Sequence, residues 1–382
     1  MPRLIPMNVP GSGPAPGGHA SAGAAASEHV SSKHGVSQHG NPKHGAPKHG
    51  VPKHGGRIAW RLLAIAVLLP VVSLSIFRAV PEPWPTPVVQ LLAFTPWLVV
   101  PAVLALGLAL AGRRLWLIAL AAVVLAAHLF WLFPLDAGRP VPDSAAPGTP
   151  IKVLNINSYF GEADAAEIVR LVREHGVELL AVQEHTQGFE DRLLAEGLER
   201  LLPHKLSNPR DDASGSALFS AHPLEATGVL PDTPFGMPTV RLTIGKGEAA
   251  SVLEVTNVHV FPPVAGRAAQ WRSDLAALGR LAAAGTAGAH RLLIGDFNST
   301  YDHAEFRAVL DGGADRKLMD VGTAAGRRLL PTWPMDGLPL PGIAIDHLVT
   351  SPRIASSGYA VHRVPGTDHA AVMATLEIPA GG

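Results

Sequence analysis

Three apolar runs stand in succession near the start of the 382-residue chain: Ile58–Phe77, broken only by Arg61; Val88–Ala111, without a charge; and Leu115–Phe133, whose only ionisable residue is His128. Runs of this length match a hydrocarbon core of roughly 30 Å at about 1.5 Å rise per residue. They predict three transmembrane helices, over 58–77, 88–111 and 115–133. A helical hairpin buried in a soluble protein fits less well, because three such runs follow one another. A cleaved signal peptide also fits poorly, since the first run begins only after residue 57.

The formal net charge of zero hides a partition: residues 1–150 balance at +7 and residues 151–382 at −7. Lys43, Lys48, Lys53, Arg57 and Arg61 cluster before or at the start of the first run, and Arg113 and Arg114 fill the turn between the second and third. Basic residues beside spans stay on the cytoplasmic side, which places the N-terminus inside. An odd number of spans then sends everything after Phe133 outside. The expected location is the cell membrane, multi-pass, with a cytoplasmic N-terminus and an extracytoplasmic C-terminal domain.

Residues 1–57 are rich in Gly, Pro, Ala, Ser and His and repeat a short unit, from Lys33-His34-Gly35 to Lys53-His54-Gly55. Such a segment buries too little surface to offset chain entropy and is expected to be disordered. A His-rich metal-binding tail is one reading; a solvated basic arm against anionic lipid is favoured, because Gly and Pro fix no coordination geometry. Residues 134–150, with five prolines, are expected to be an extended linker.

From Ile151 the pattern changes to that of an α/β domain, 151–382. Strands are expected near 151–156, 178–183, 216–220, 238–244, 251–259, 290–295, 343–350 and 370–377, and helices near 162–175, 189–201, 266–284 and 302–310. The chain has no cysteine, so thiol nucleophiles, Cys-zinc sites and iron–sulfur clusters are excluded and any metal must sit on O and N ligands.

Polar clusters fall at the ends of the apolar strands, where an α/β sheet presents side chains to a crevice. They are Asn155-Ile156-Asn157, Gln183-Glu184, Asn257-Val258-His259, Asp296-Phe297-Asn298, Asp346-His347 and Thr367-Asp368-His369. Singly, each reads as readily as a turn, a cap or a surface pair. The series, with Gly215–Leu224, resembles the endonuclease/exonuclease/phosphatase superfamily over essentially all of residues 151–377.

That resemblance implies a four-layer α/β sandwich of two mixed β-sheets with helices outside, the DNase I-like fold, here preceded by three transmembrane helices. It implies a metal-dependent phosphoric ester hydrolase using Mg²⁺ (or Mn²⁺). By position, Glu184, Asn155 and Asp368 are the implied metal residues, and Asn157 and Asn257 the implied phosphate-binding ones. The implied catalytic set is His259, Asp296, Asn298, Asp346 and His369, with the general base left open between Asp296 and His369. The chemistry is consistent: hydrolysing a phosphoester needs an aimed water and positive charge against the phosphoryl oxygens. His347 is expected to be a packed imidazole. Trp333 reads equally as a buried Trp or as one that stacks on substrate.

A nonspecific nuclease depends on Lys and Arg for affinity, whereas the domain is at −7 with four lysines. Nucleic acid is therefore a disfavoured substrate, although an exported DNase I-like nuclease stays as the alternative. The expected partners are the lipid membrane and a lipid-linked phosphate ester, with no protein partner inferred. Three N-terminal spans before an extracytoplasmic domain resemble the VanJ-type branch, membrane proteins linked in some actinobacteria to glycopeptide resistance, with undecaprenyl pyrophosphate as the implied leading substrate. A sandwich used only for binding is disfavoured, because binding alone needs no metal carboxylate beside an Asp–His pair.

Overall fold

The computed structural model describes residues 54–134, 148–245, 250–284, 290–312, 317–337 and 341–379. The repeats before residue 54 and residues 135–147 of the expected linker lie outside them. Residues 54–57, expected in the tail, open helix α1 (His54–Ala79).

The second apolar run is not one helix. α2 (Thr86–Leu92) stops, a 3-10 turn covers Thr95–Leu98, and α3 (Val99–Gly112) follows. The Thr95 hydroxyl donates to Leu92 O at 2.7 Å, and Pro96 has no N–H with which to continue the ladder. α4 (Leu115–Leu132) completes the group. Three helical stretches remain long and apolar enough to cross a membrane: Gly56–Ala79, Thr95–Gly112 and Leu115–Leu132. They pack through Ala64, Ala102, Ala105, Ala109 and Ala121, small residues that let backbones approach. Leu62, Leu69, Val100, Val103 and Val123 face outward. His128 links helices, with Nε2 3.0 Å from the Ser75 hydroxyl.

The domain is built on two six-stranded mixed sheets. One contains β1 (Thr149–Asn157), β2 (Leu179–Gln183), β3 (His204–Asn208) and β4 (Ser216–Ser220), with β11 (Ala355–Arg363) and β12 (Ala370–Ile378), in the order β11-β12-β1-β2-β4-β3. The other contains β5 (Leu224–Val229), β6 (Pro238–Ile244), β7 (Ser251–His259), β8 (His290–Asp296), β9 (Met319–Asp320) and β10 (Asp346–Thr350), in the order β5-β6-β7-β8-β10-β9. Each has a single parallel pair, β1 with β2 and β7 with β8. α5 (Ala165–His175) and α8 (Ala268–Ala283) make the crossovers these pairs require. α6 (Gln187–Ala195) and α7 (Leu198–Leu201) cover the first sheet with α5. α9 (Ala304–Asp311) covers the second with α8, and α10 (Val321–Ala324) precedes β10. The four-layer sandwich is thus present.

The two-residue period of a strand decides where the polar clusters go. In β1, Ile151 and Val153 enter the core between the sheets while Leu154 and Ile156 face the helices. The same parity puts Leu253, Val255, Leu292, Ile294 and Leu348 between the sheets. Asn155, Asn157, Gln183, Asn257, His259, Asp296 and Asp346 continue those inward rows one step past the apolar core. His347 has the opposite parity. It packs against Phe306 with ring centroids 4.3 Å apart, and its Nδ1 lies 3.0 Å from Asp320.

The membrane-type helices dock on this domain. Val89 of α2 is buried in the same cluster as Trp271 and Phe306, and His303 Nε2 donates to Val89 O at 2.9 Å. Arg78, at the end of α1, meets Asp302 at 2.8 Å, and Arg328 meets the other oxygen of Asp302 at 2.6 Å. Arg328 also donates to Trp131 O of α4 at 2.9 Å. At the far end of the helices Arg61 donates to Gly112 O at 2.7 Å, beside the Arg113–Arg114 turn.

Candidate active site

The two parallel pairs end side by side, and their registers set Asn157 opposite Gln183 and His259 opposite Asp296. β10 runs antiparallel to β8 and brings Asp346 opposite Asp296. Gly295 is required between them, because a Cβ there would lie 1.9 Å from Val258 O. Tyr159, Phe160, Glu184 and Asn298 all hold positive φ, between 46° and 54°, a conformation that non-glycine residues sustain mainly where a site over-determines it.

Asn157 ties two carboxylates together, its Nδ2 lying 3.2 Å from both Glu184 Oε1 and Asp296 Oδ2. Glu184 Oε2 accepts from Phe160 N at 2.9 Å. Asn298 donates its backbone N–H to Asp296 Oδ1 at 2.8 Å and its amide to Asp296 Oδ2 at 3.1 Å. Asp346 Oδ2 accepts from His369 Nδ1 at 2.9 Å, which leaves Nε2 toward Asp296 Oδ2 at 3.8 Å. His259 Nε2 stands 3.8 Å from both Glu184 and Asp296, with Phe235 stacked on its ring at 4.4 Å.

Two residues have roles other than those expected. Asn257 has no amide left for a phosphate: Nδ2 donates to Val182 O and Ala217 O, both at 3.0 Å, and Oδ1 accepts from Gln183 at 2.6 Å. Asn155 lies against Gln183 at 2.8 Å and Asp346 at 3.4 Å, so it braces Asp346 instead of joining Glu184 as a metal residue. Sequence reading left the roles of three others open or unseen. Thr332 Oγ1 accepts from Ile345 N and Asp346 N, Trp333 Nε1 donates to Asp368 Oδ2 at 2.8 Å, and Gln183 joins the two asparagines. Trp333 had a signal in the Pro331-Thr332-Trp333-Pro334 segment; Thr332 had none beyond its neighbours.

Burial, reinforced by Asp346, pushes the Asp296 carboxyl up to about 7 against the opposing charge of His369. Burial likewise raises Glu184. For His369 burial acts downward, but Asp346, Asp296 and Asp368 outweigh it and push the imidazole up to about 10. Burial and the His369 charge hold His259 down at about 3, so it is neutral. Four carboxylates around one charged imidazole form a negative pocket built for a cation.

The model of the Endonuclease/Exonuclease/phosphatase family matches residues 154–369, more than half of the chain and every strand end that carries the site. The chain belongs to this family. As a member of the endonuclease/exonuclease/phosphatase family it is a metal-dependent phosphoric ester hydrolase, and the family's enzymes use divalent metals. Among solved structures it is similar to a humanized D. rerio TDP2 carrying 14 mutations, at 13% identity and TM-score 0.46, covering 60% of this chain and 99% of that one. A Bacteroides vulgatus family member shares 15% identity at TM-score 0.46, covering 60% and 100%. One from Beutenbergia cavernae shares 16% at TM-score 0.44, covering 60% and 72%. No curated protein matches the chain.

The residues fit the family's divalent ion. Asp296, Asp346 and His369 bring possible ligand atoms within 4.8 Å of one another, but His369, charged and bonded to Asp346, has no lone pair to give, which leaves the ion to the rim. At the rim, Glu184 and Asp368 are the carboxylates that stay partly open, at 12% and 19% side-chain exposure. Asp368 Oδ1 is buried with no hydrogen-bond donor among the described residues, the state of an oxygen reserved for a cation.

The raised His369 gives a pH test in chelator. A group whose folded pKa is raised contributes stability that is full below its unfolded value, about 6.5, and lost as pH rises through the folded one. The melting-temperature gap between wild type and His369→Gln should therefore shrink from pH 6.5 toward pH 10. A gap that stays constant across thermal scans would contradict a charged His369.

Proposed function

We propose that the chain is a membrane-anchored phosphoesterase of the VanJ-type branch that cleaves a phosphate or pyrophosphate ester on a lipid-linked substrate, undecaprenyl pyrophosphate being the leading candidate. Its place is the outer face of the cell membrane. The observation that carries this is a phosphoesterase site on a domain docked against three membrane-length helices, at the end opposite Arg61, Arg113 and Arg114. Basic residues at that opposite end support a cytoplasmic N-terminus. The acidic balance of the domain weighs against DNA.

Glu184 and Asp368 would hold Mg²⁺ or Mn²⁺, which when bound supplies positive charge against the phosphoryl oxygens. Asp296, with a pKa near neutrality, takes the proton of the water that attacks phosphorus. Asn298 and Asn157 hold its carboxylate in place. His369 is protonated at neutral pH and aims Nε2 into the site, where it gives its proton to the leaving oxygen as the phosphorus–oxygen bond breaks. His259, held neutral, turns Nε2 toward Glu184 and Asp296 and lines the crevice that would receive the phosphate. Asp346 fixes the tautomer and orientation of His369.

Purified full-length protein with Mg²⁺ is expected to release phosphate from undecaprenyl pyrophosphate. Chelation should reduce this to background, added Mg²⁺ or Mn²⁺ should restore it, and Glu184→Gln should lower it by at least about 100-fold. Cleavage of plasmid DNA with steep salt dependence, and no phosphate release, would replace this reading by that of an exported nuclease.

A further inference from the structure

Two cavities lie where the membrane-type helices meet the domain. One, of about 350 Å³, has Val89, Ala93 and Phe94 on one wall and Pro262, Pro263 and Val264 on the other. Asn298 and Trp333, which hold Asp296 and Asp368, also line it. The second, of about 230 Å³, is lined by Pro96, Val99 and Val100 from the start of α3, Leu132 from the end of α4, and Leu329. Ala93 and Ile343 line both.

The polar side chains along the way are engaged. Asp302 and Arg328 pair with each other, and Gln90 donates to Pro263 O at 3.0 Å. Of the residues lining the second cavity, Val100 and Trp97 are exposed, at 64% and 40%. A Trp just before an apolar helix start is a typical side chain of a membrane interface. The path thus begins at the surface that faces lipid and ends at the groups that handle the phosphoester.

We infer that the two cavities form one track that seats the hydrocarbon tail of the substrate, so that the phosphoester reaches Asp296 and Trp333 sideways from the bilayer. This rests on the lipid-linked reading above and adds where the lipid lies. A soluble phosphoester has no use for such a track. A tail still anchored in the bilayer does, because each methylene seated on apolar surface strengthens binding about fourfold.

The test uses full-length protein in nanodiscs and prenyl pyrophosphates of increasing length, from one isoprene unit upward. Wild-type kcat/KM should rise with length and then level off as the track fills. Ala93→Phe, which narrows both cavities, and Val100→Trp, at the exposed outer end, should lower kcat/KM at least tenfold on the long substrates. On the single-isoprene substrate both variants should stay within twofold of wild type. Partition into the nanodisc is common to variant and wild type, so their ratio isolates the track.

Equal losses on short and long substrates, or none on either, would overturn the inference. If Ala93→Phe does not fold, the ratio of Val100→Trp to wild type across the length series decides it. Wild type that cleaves all lengths equally removes the track and leaves the phosphoesterase reading standing. Wild type that cleaves none removes both.

Discussion

Replacing His369 with alanine is expected to lower kcat by about 1,000-fold, the mid-range loss for a positioned general acid. The imidazole is held on one side only, by Asp346 Oδ2 at 2.9 Å from Nδ1, and presents Nε2 to the crevice. Asp346→Asn should therefore lower kcat by a smaller factor, about 100-fold, by freeing the ring and its tautomer. Asp346 is the largest of the influences that counter burial and raise His369, so the alkaline limb of the pH–rate profile should also move to lower pH in Asp346→Asn. That movement separates positioning from a merely structural defect. Variants of unchanged melting temperature with kcat within threefold of wild type would remove His369 from the reaction.

This part of the site was legible because strand parity is. Asn155, Asn157, Asn257, His259, Asp296 and Asp346 all sit on inward rows set by the apolar residues of the same strands, which precede the first five and follow Asp346. A sequence shows the row but not what fills the last hydrogen bond of each side chain. Asn257 and Asn155 share the residue type and placement of phosphate donors and metal residues, yet Gln183 and nearby carbonyls engage them first. Their assignment depends on distances across two sheets, which no local pattern encodes.

The fold divides in the same way. Strands buried on both faces, such as β2, β4 and β8, carry continuous apolar runs. The strands not foreseen are β3, β5, β9 and β11, all at sheet edges. β5 buries almost nothing, and β11 is largely exposed or half-buried, so neither has an alternation to read. The break between α2 and α3 had a local cue in Thr95-Pro96. It was overridden by the unbroken apolar composition on both sides, which is the same for outward-facing and domain-facing residues.

The docking itself had no sequence signal, and its centre gives the second large effect. Asp302→Ala is expected to destabilise the protein by about 3–5 kcal/mol, because removing one partner of a buried ion pair leaves the others uncompensated. Here two guanidiniums are left. Asp302 gives one oxygen to Arg78 of α1 and the other to Arg328, and their side chains are 1%, 8% and 8% exposed. At about 2–4 °C per kcal/mol for a domain of this size, the melting temperature in detergent should fall by at least about 6 °C. Amide exchange should quicken in α2 and α9, which meet beside this cluster through Val89 and His303. A fall under 2 °C would mean that the Asp302 ion cluster contributes little to holding the helices on the domain. A triple replacement, Arg78→Met, Asp302→Leu and Arg328→Met, separates pairing from packing. If the loss in Asp302→Ala comes from stranded charge, the triple variant recovers most of it, since well-packed apolar groups commonly replace a buried ion network without loss.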